Sequence, residues 1–216
     1  MTEFLENTIK SSQRLKNRPF NGLFCYGTAG TGKSLLIRHL YDILHHIPAV
    51  ACIFEQVPEL LLSLRDNFSR KPDDDGYQTE SQFIDNYTKN VDYLFLDDLG
   101  AEKPSAFTVE TLYIILDRCE RNLKPVPIIT SNFNLSQLSD RISDRIASRL
   151  SSLCEIVKLQ GNDYRVIKPS AFILNADNTK AVNLCQAVIG YEKQIQVNKQ
   201  IESNNKPVIK ENIEVY

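Results

Sequence analysis

No apolar run in this 216-residue chain approaches the roughly 20 residues a membrane-spanning helix needs. Residues Met1 to Asn21 hold no apolar core of signal-peptide length either. Nothing routes the chain outward or into a bilayer, and a cytoplasmic protein with no membrane partner is expected. Five cysteines, Cys25, Cys52, Cys119, Cys154 and Cys185, form no C-x-x-C pair. Most sit inside apolar runs, where a thiol acts as a small hydrophobe, so reduced thiols are expected. Glycine and proline are few, 8 and 9, and no repeat or low-complexity block appears. A formal net charge of -2 gives no global field for nucleic acid, so any such binding needs a local basic surface or assembly. What remains is 42% hydrophobic and 24% charged, enough for one domain that buries a sizeable core without staples.

The most specific feature is Gly27-Thr28-Ala29-Gly30-Thr31-Gly32-Lys33-Ser34, a complete Walker A signature. It follows the apolar run Leu23 to Tyr26 and precedes an amphipathic stretch, the strand and helix contexts that a P-loop requires. The glycines let the backbone curl so that successive N–H groups face phosphate oxygens, and the following helix brings its positive end to the same place. Lys33 is placed to reach the β- and γ-phosphates and Ser34 to ligate Mg2+. With Leu35 completing the first helical residues, Gly27 to Leu35 is the expected ATP-binding stretch.

A metal nucleotide needs a second, acidic motif, and Tyr93-Leu94-Phe95-Leu96-Asp97-Asp98 supplies one at the end of another apolar run. A buried parallel strand ending in carboxylates reads as Walker B. Asp97 is the metal-side residue, and Asp98 is the candidate to orient or deprotonate the attacking water.

Strand-like runs alternate with helical periodicity, the pattern of a parallel sheet with crossover helices. Five strands are predicted, at Leu23 to Tyr26, Val50 to Phe54, Tyr93 to Leu96, Val126 to Thr130 and Cys154 to Leu159. Leu36, Leu40, Ile43, Leu44 and Ile47 share one helical face, as do Leu112, Ile115, Leu116, Cys119 and Leu123. Val57 to Phe68 is a further helical stretch, and Lys71 to Thr79 is a polar loop. Arg141, Arg145 and Arg149, spaced four apart, are expected on one face of one helix.

Four segments together resemble the DnaC/DnaI/IstB-type AAA+ ATPases, which are replicative helicase loaders and transposition helpers. They are the Walker A loop, Leu-Asp-Asp-Leu-Gly-Ala-Glu-Lys-Pro, Ile-Ile-Thr-Ser-Asn and Arg-Ile-Ala-Ser-Arg-Leu, spread between Phe20 and Arg165. The resemblance implies an α/β P-loop fold with an AAA+ core, its five-stranded parallel sheet sandwiched by helices. It assigns sensor 1 to Asn132, an amide able to report on the terminal phosphate. Arg149 becomes an arginine finger acting in a neighbouring subunit's ATP site, and Arg165, in Asn-Asp-Tyr-Arg, a sensor-2-like phosphate contact.

By the same resemblance, the partners are further copies of the chain joined through their ATP sites, single-stranded DNA, and a replicative helicase or transposase. Arg65, Arg70 and Lys71 lie where the family holds DNA, although Asp73, Asp74 and Asp75 follow at once. The expected layout is a short helical segment over residues 1–20, the ATPase domain over 21–168 and an extension over 169–216. The extension carries Ala181, Leu184, Val188, Tyr191 and Ile195 at heptad-like spacing. Helicase loaders usually carry an N-terminal helicase-gripping module; its place here is taken by about twenty residues, so that module is expected to be missing or supplied elsewhere. A helicase-loader-like ATPase is the leading expectation. The rivals are a transposition helper and a non-hydrolysing ATP-dependent switch. A metabolic kinase would need an acceptor pocket and lid, and a GTPase an Asn-Lys-x-Asp element, neither of which is evident.

Overall fold

A computed structural model describes residues 22–163 apart from 103 and 162, together with Asn183, Gln186, Ile189, Gly190, Lys193, Gln194 and Gln196. Its strands are β1 (Leu23–Tyr26), β2 (Cys52–Gln56), β3 (Tyr93–Leu99), β4 (Val126–Ser131) and β5 (Glu155–Lys158). Its helices are α1 (Lys33–His45), α2 (Val57–Ser69), α3 (Glu80–Thr88), α4 (Ala106–Asn122), α5 (Leu135–Arg141) and α6 (Asp144–Leu153). The strands form one sheet in the order β2-β3-β4-β1-β5, and every pairing is parallel.

Strand periodicity divides the core between the two faces. Leu23, Cys25, Tyr93, Phe95 and Ile128 join Ile37, Leu40 and Leu44 of α1 in one cluster. Their alternates Phe24, Leu94, Leu96 and Ile129 join residues of α2 to α6, among them Leu60, Ile84, Leu112, Leu138 and Leu150. Both faces are therefore covered, which is why the strands read as continuous apolar runs. Ile189 packs on the α1 side. Burial pushes the Cys119 thiol up to about 12 and raises Cys154 as well. Among the described residues, no helix is long and apolar enough to cross a membrane.

Several boundaries move for local reasons. β2 starts at Cys52 rather than Val50, because Val50 packs into the α1 cluster and Ala51 bonds both ways with Asp92, its N–H donating to Oδ2 at 3.0 Å. Helix α3 had no counterpart in the periodicity; a capping box starts it, with Gln82 N–H donating to Thr79 Oγ1 at 3.3 Å and Thr79 N–H to Gln82 Oε1 at 2.9 Å.

The single arginine-bearing helix is corrected. Ser143, extended at φ -176°, caps a new helix by accepting from Arg145 N–H at 3.2 Å, so Arg141 ends α5 while Arg145 and Arg149 ride on α6. The three cations do not share a helical face. The expected segment over residues 1–20 and the stripe residues Ala181, Leu184, Val188, Tyr191 and Ile195 lie outside the described residues.

Candidate nucleotide site

The loop after β1 leaves the sheet beside β4, with Gly27 N–H donating to Ser131 O at 3.2 Å. Gly30 and Gly32 take positive φ, 78° and 89°, which glycine adopts without steric cost. The chain beyond β5 presses on the loop from behind. A Cβ on Gly27 would lie 2.1 Å from Leu159 O, and one on Gly30 would lie 1.9 Å from Asp163 Oδ1. Thr31 is buried and ties the curl by donating from Oγ1 to Thr28 O at 2.9 Å.

Helix α1 begins against ordinary rules. Its N-cap, Gly32, offers no side-chain cap, its first turn holds no acid, and its first residue is a lysine. A cation at the positive end of a helix is unfavourable by about 0.3–1 kcal/mol unless an anion shares the site. The first helical bond runs from Leu36 N–H to Gly32 O at 2.9 Å, so the N–H groups of Ser34 and Leu35 precede it and are available to an anion. The Leu35 side chain is exposed, which leaves its backbone as the part able to contact phosphate. Lys33 is only 4% exposed, and its Nζ donates to Gly27 O at 3.0 Å and Thr28 O at 2.8 Å.

Across β4 stand the two acids. Leu96 lies opposite Ile129 and Leu99 opposite Ser131, so three steps along β3 match two along β4 and a bulge falls on Asp97-Asp98. Asp98 takes φ 58°, a left-handed conformation uncommon outside glycine. Buried Thr130 serves both acids. Its Oγ1 accepts from Asp98 N–H at 3.0 Å and donates to Asp97 Oδ1 at 2.5 Å. Asp97 is itself buried, Asp98 half-buried.

The turn beyond the acids is braced from β4 and α5. Ser131 Oγ donates to Leu99 O at 2.6 Å, and Arg141 Nε donates to Gly100 O at 2.7 Å. Gly100 N–H donates to Glu102 Oε2 at 2.9 Å, while Glu102 Oε1 is buried with no hydrogen-bond partner among the described residues. Burial raises the Glu102 carboxyl above its ordinary value, against the pull of backbone N–H groups and Arg141. Thr130, Glu102 and Arg141 escaped the sequence reading of the site. For Thr130 a signal existed, a hydroxyl closing an apolar strand.

Asn132 lies one residue beyond β4 and is exposed. The turn chemistry around it belongs to Asn134, which caps α5 by accepting from Gln137 N–H at 2.8 Å. Arg149 is held within its own chain, Nη2 donating to Asp117 Oδ1 at 2.7 Å and Tyr113 Oη at 3.0 Å while Nη1 pairs with Glu120. Arg165 lies outside the described residues. Of the residues considered for DNA, Arg65 sits 5.4 Å from the Phe107 ring, and Phe107 meets Phe68 edge to face at 5.7 Å. Arg70 turns back on its own loop, donating to Asp75 O at 3.4 Å.

A parallel sheet with a glycine loop leaving one strand and a bulged acidic pair ending another, both at its C-terminal edge, defines a P-loop α/β protein. More particularly, the fold is the one seen in solved structures of a DnaC helicase loader and a DnaA replication initiator. No protein-family model matches the sequence, and no curated protein matches it. Solved structures do. A DnaC helicase loader superposes with a TM-score of 0.55 at 22% identity, over 72% of this chain and 89% of that one. For DnaI the values are 0.52 and 24%, over 72% and 84%. For a replication initiator DnaA bound to AMPPCP and single-stranded DNA they are 0.57 and 20%, over 89% of this chain and 61% of that one. This chain thus spans less than two thirds of the initiator, and what these likenesses share with it is the fold.

The donors present suit a magnesium nucleotide. One hydroxyl, Ser34, and one carboxylate, Asp97, beside a phosphate loop is how Mg2+ is ordinarily held, with phosphates completing its shell. Among the described residues, no group of three or more His, Cys, Asp or Glu could hold a metal ion by itself.

Proposed function

We propose that this chain binds and hydrolyses ATP, associates through its nucleotide sites, and loads or remodels a DNA-replication partner in the manner of a helicase loader. The observation that carries the reading is the placement of the Lys33 loop and the Asp97-Asp98 bulge at one edge of the sheet, on either side of β4. The similar solved structures support the replication setting: one is a DnaC helicase loader, and the DnaA initiator was captured with an ATP analogue and single-stranded DNA.

In this reading the loop N–H groups from Gly27 to Leu35 bind the phosphates, and the Lys33 ammonium exchanges its bonds with Gly27 O and Thr28 O for phosphate oxygens. Ser34 and Asp97 would hold Mg2+, whose charge would offset that on the β- and γ-phosphates. Asp98 orients the attacking water and accepts its proton. Asn132 contacts the terminal phosphate from the strand tip and Arg149 reaches the site of an adjacent subunit; for Arg165 a phosphate contact rests on the sequence resemblance alone. The patch of Arg65, Phe68 and Phe107 offers charge and ring faces to single-stranded DNA.

A second reading has its own support. With Arg149 bound to Asp117 and Glu120, a lone subunit keeps its finger occupied, as an ATP-dependent switch with little turnover would. Measuring the ATPase rate per subunit against protein concentration, with and without single-stranded DNA and with EDTA as control, separates the two. A rate that climbs with concentration supports shared sites, and a flat, negligible rate alongside tight binding supports the switch. Failure of purified, folded protein to bind any adenine nucleotide in magnesium buffer overturns both.

A further inference from the structure

We infer that Thr130 is a positioning residue for the proposed reaction, its one hydroxyl setting the geometry of Asp97 and Asp98 together. The inference rests on the nucleotide-hydrolysing reading and assigns a role to a residue that reading did not use.

The direction of the bonds is determined by chemistry. Asp98 N–H can only donate and the Asp97 carboxylate only accepts, so Thr130 Oγ1 must take the first bond, at 3.0 Å, and give its single proton to the second, at 2.5 Å. Donation and acceptance through one oxygen polarise each other, and Thr130 is fully buried, so water offers no substitute for either bond. The bond to Asp98 N–H falls on the residue whose left-handed backbone makes the bulge. It therefore holds the turn that aims Asp98, while the other bond limits the rotation of Asp97. On its other side Thr130 pairs with Cys25, one residue before Tyr26, after which the phosphate loop begins. A single side chain thus ties the acidic motif to the strand between the two halves of the site.

Valine matches threonine in shape but can make neither bond, whereas serine retains the hydroxyl. For T130V, nucleotide binding without Mg2+ should match wild type, because the loop is untouched. The gain in affinity on adding Mg2+ and the turnover should both fall, on the order of 10- to 100-fold, the usual cost of losing an outer-shell partner. T130S should recover both to within a few-fold. Before any nucleotide is added, the Asp98 amide should exchange slowly with deuterium in wild type and T130S and rapidly in T130V.

A folded T130V with wild-type magnesium response, turnover and Asp98 exchange overturns the inference. So does T130S failing as badly as T130A, which would make the side chain a packing element; this comparison stands in if T130V does not fold. Wild-type protein that binds no nucleotide overturns the parent reading instead, a result distinct from any difference among the variants.

Discussion

Asp117 on α4 holds Arg149 on α6 across the packed helices, Oδ1 to Nη2 at 2.7 Å, while its other oxygen takes Arg121 Nε at 2.7 Å. The cation that the resemblance places in a neighbouring site is thus bound at home until something competes for it. Arg149→Ala is expected to leave nucleotide affinity unchanged and to lower turnover by roughly 10³ or more, the usual effect of losing a finger. Mixing it with Lys33→Ala subunits should restore part of the activity, since each supplies what the other lacks. No restoration at concentrations where the protein assembles would leave Arg149 with its local role only, and its loss would then show as a lower melting temperature.

Asp98→Asn is an unusually clean probe, because asparagine tolerates the left-handed backbone seen at φ 58° and keeps the N–H that Thr130 receives. Binding of ATP and the response to Mg2+ should survive while hydrolysis falls to background. Normal turnover in this variant would show that another group activates the water.

The glycine loop is also a packing surface. Gly27→Ala would drive a methyl group to within 2.1 Å of Leu159 O, a backbone atom that cannot step aside cheaply. A loss of about 1–3 kcal/mol is expected from such overpacking, read by chemical denaturation. Gly32 has nothing within 4 Å of its Cβ position among the described residues, so Gly32→Ala should lose only the left-handed penalty at φ 89°, about 1–2 kcal/mol. Wild-type stability in Gly27→Ala would contradict the close backing of the loop by the end of β5.

Glu102 makes stability depend on pH. Burial raises its folded pKa above the ordinary 4.5, so the native state retains a proton that the unfolded chain has released. Its favourable contribution is complete below about 4.5 and is lost as pH rises through the folded value. Glu102→Gln carries no such proton, so its stability relative to wild type should improve between pH 5 and pH 8 in denaturant titrations. A constant difference across that range would refute the shift.

The sheet and the loop were legible in the sequence because their signals are local. Leu23 to Tyr26 and Tyr93 to Leu96 are apolar throughout because they are covered on both faces, and Gly27 to Ser34 carries its backbone geometry in its glycines. Helix α3 was missed because it is short and only two of its residues, Ile84 and Thr88, are buried, leaving little periodicity to detect. The arginine-bearing helix was drawn too long because spacing alone cannot register that Ser143 ends one helix and caps another.

From its own residues the chain determined the alternation of strands and helices, the order of the motifs and the chemistry of Lys33, Ser34, Asp97 and Asp98, each encoded within a few neighbouring positions. Tertiary structure alone decided that Thr130, 33 positions beyond Asp97, would donate a hydrogen bond to it, and that Arg149 would settle on Asp117. It also decided that Asp163, beyond β5, would lie against Gly30. These are contacts between segments distant in the chain, and which side chains meet is set by strand order and register, quantities that no local pattern contains.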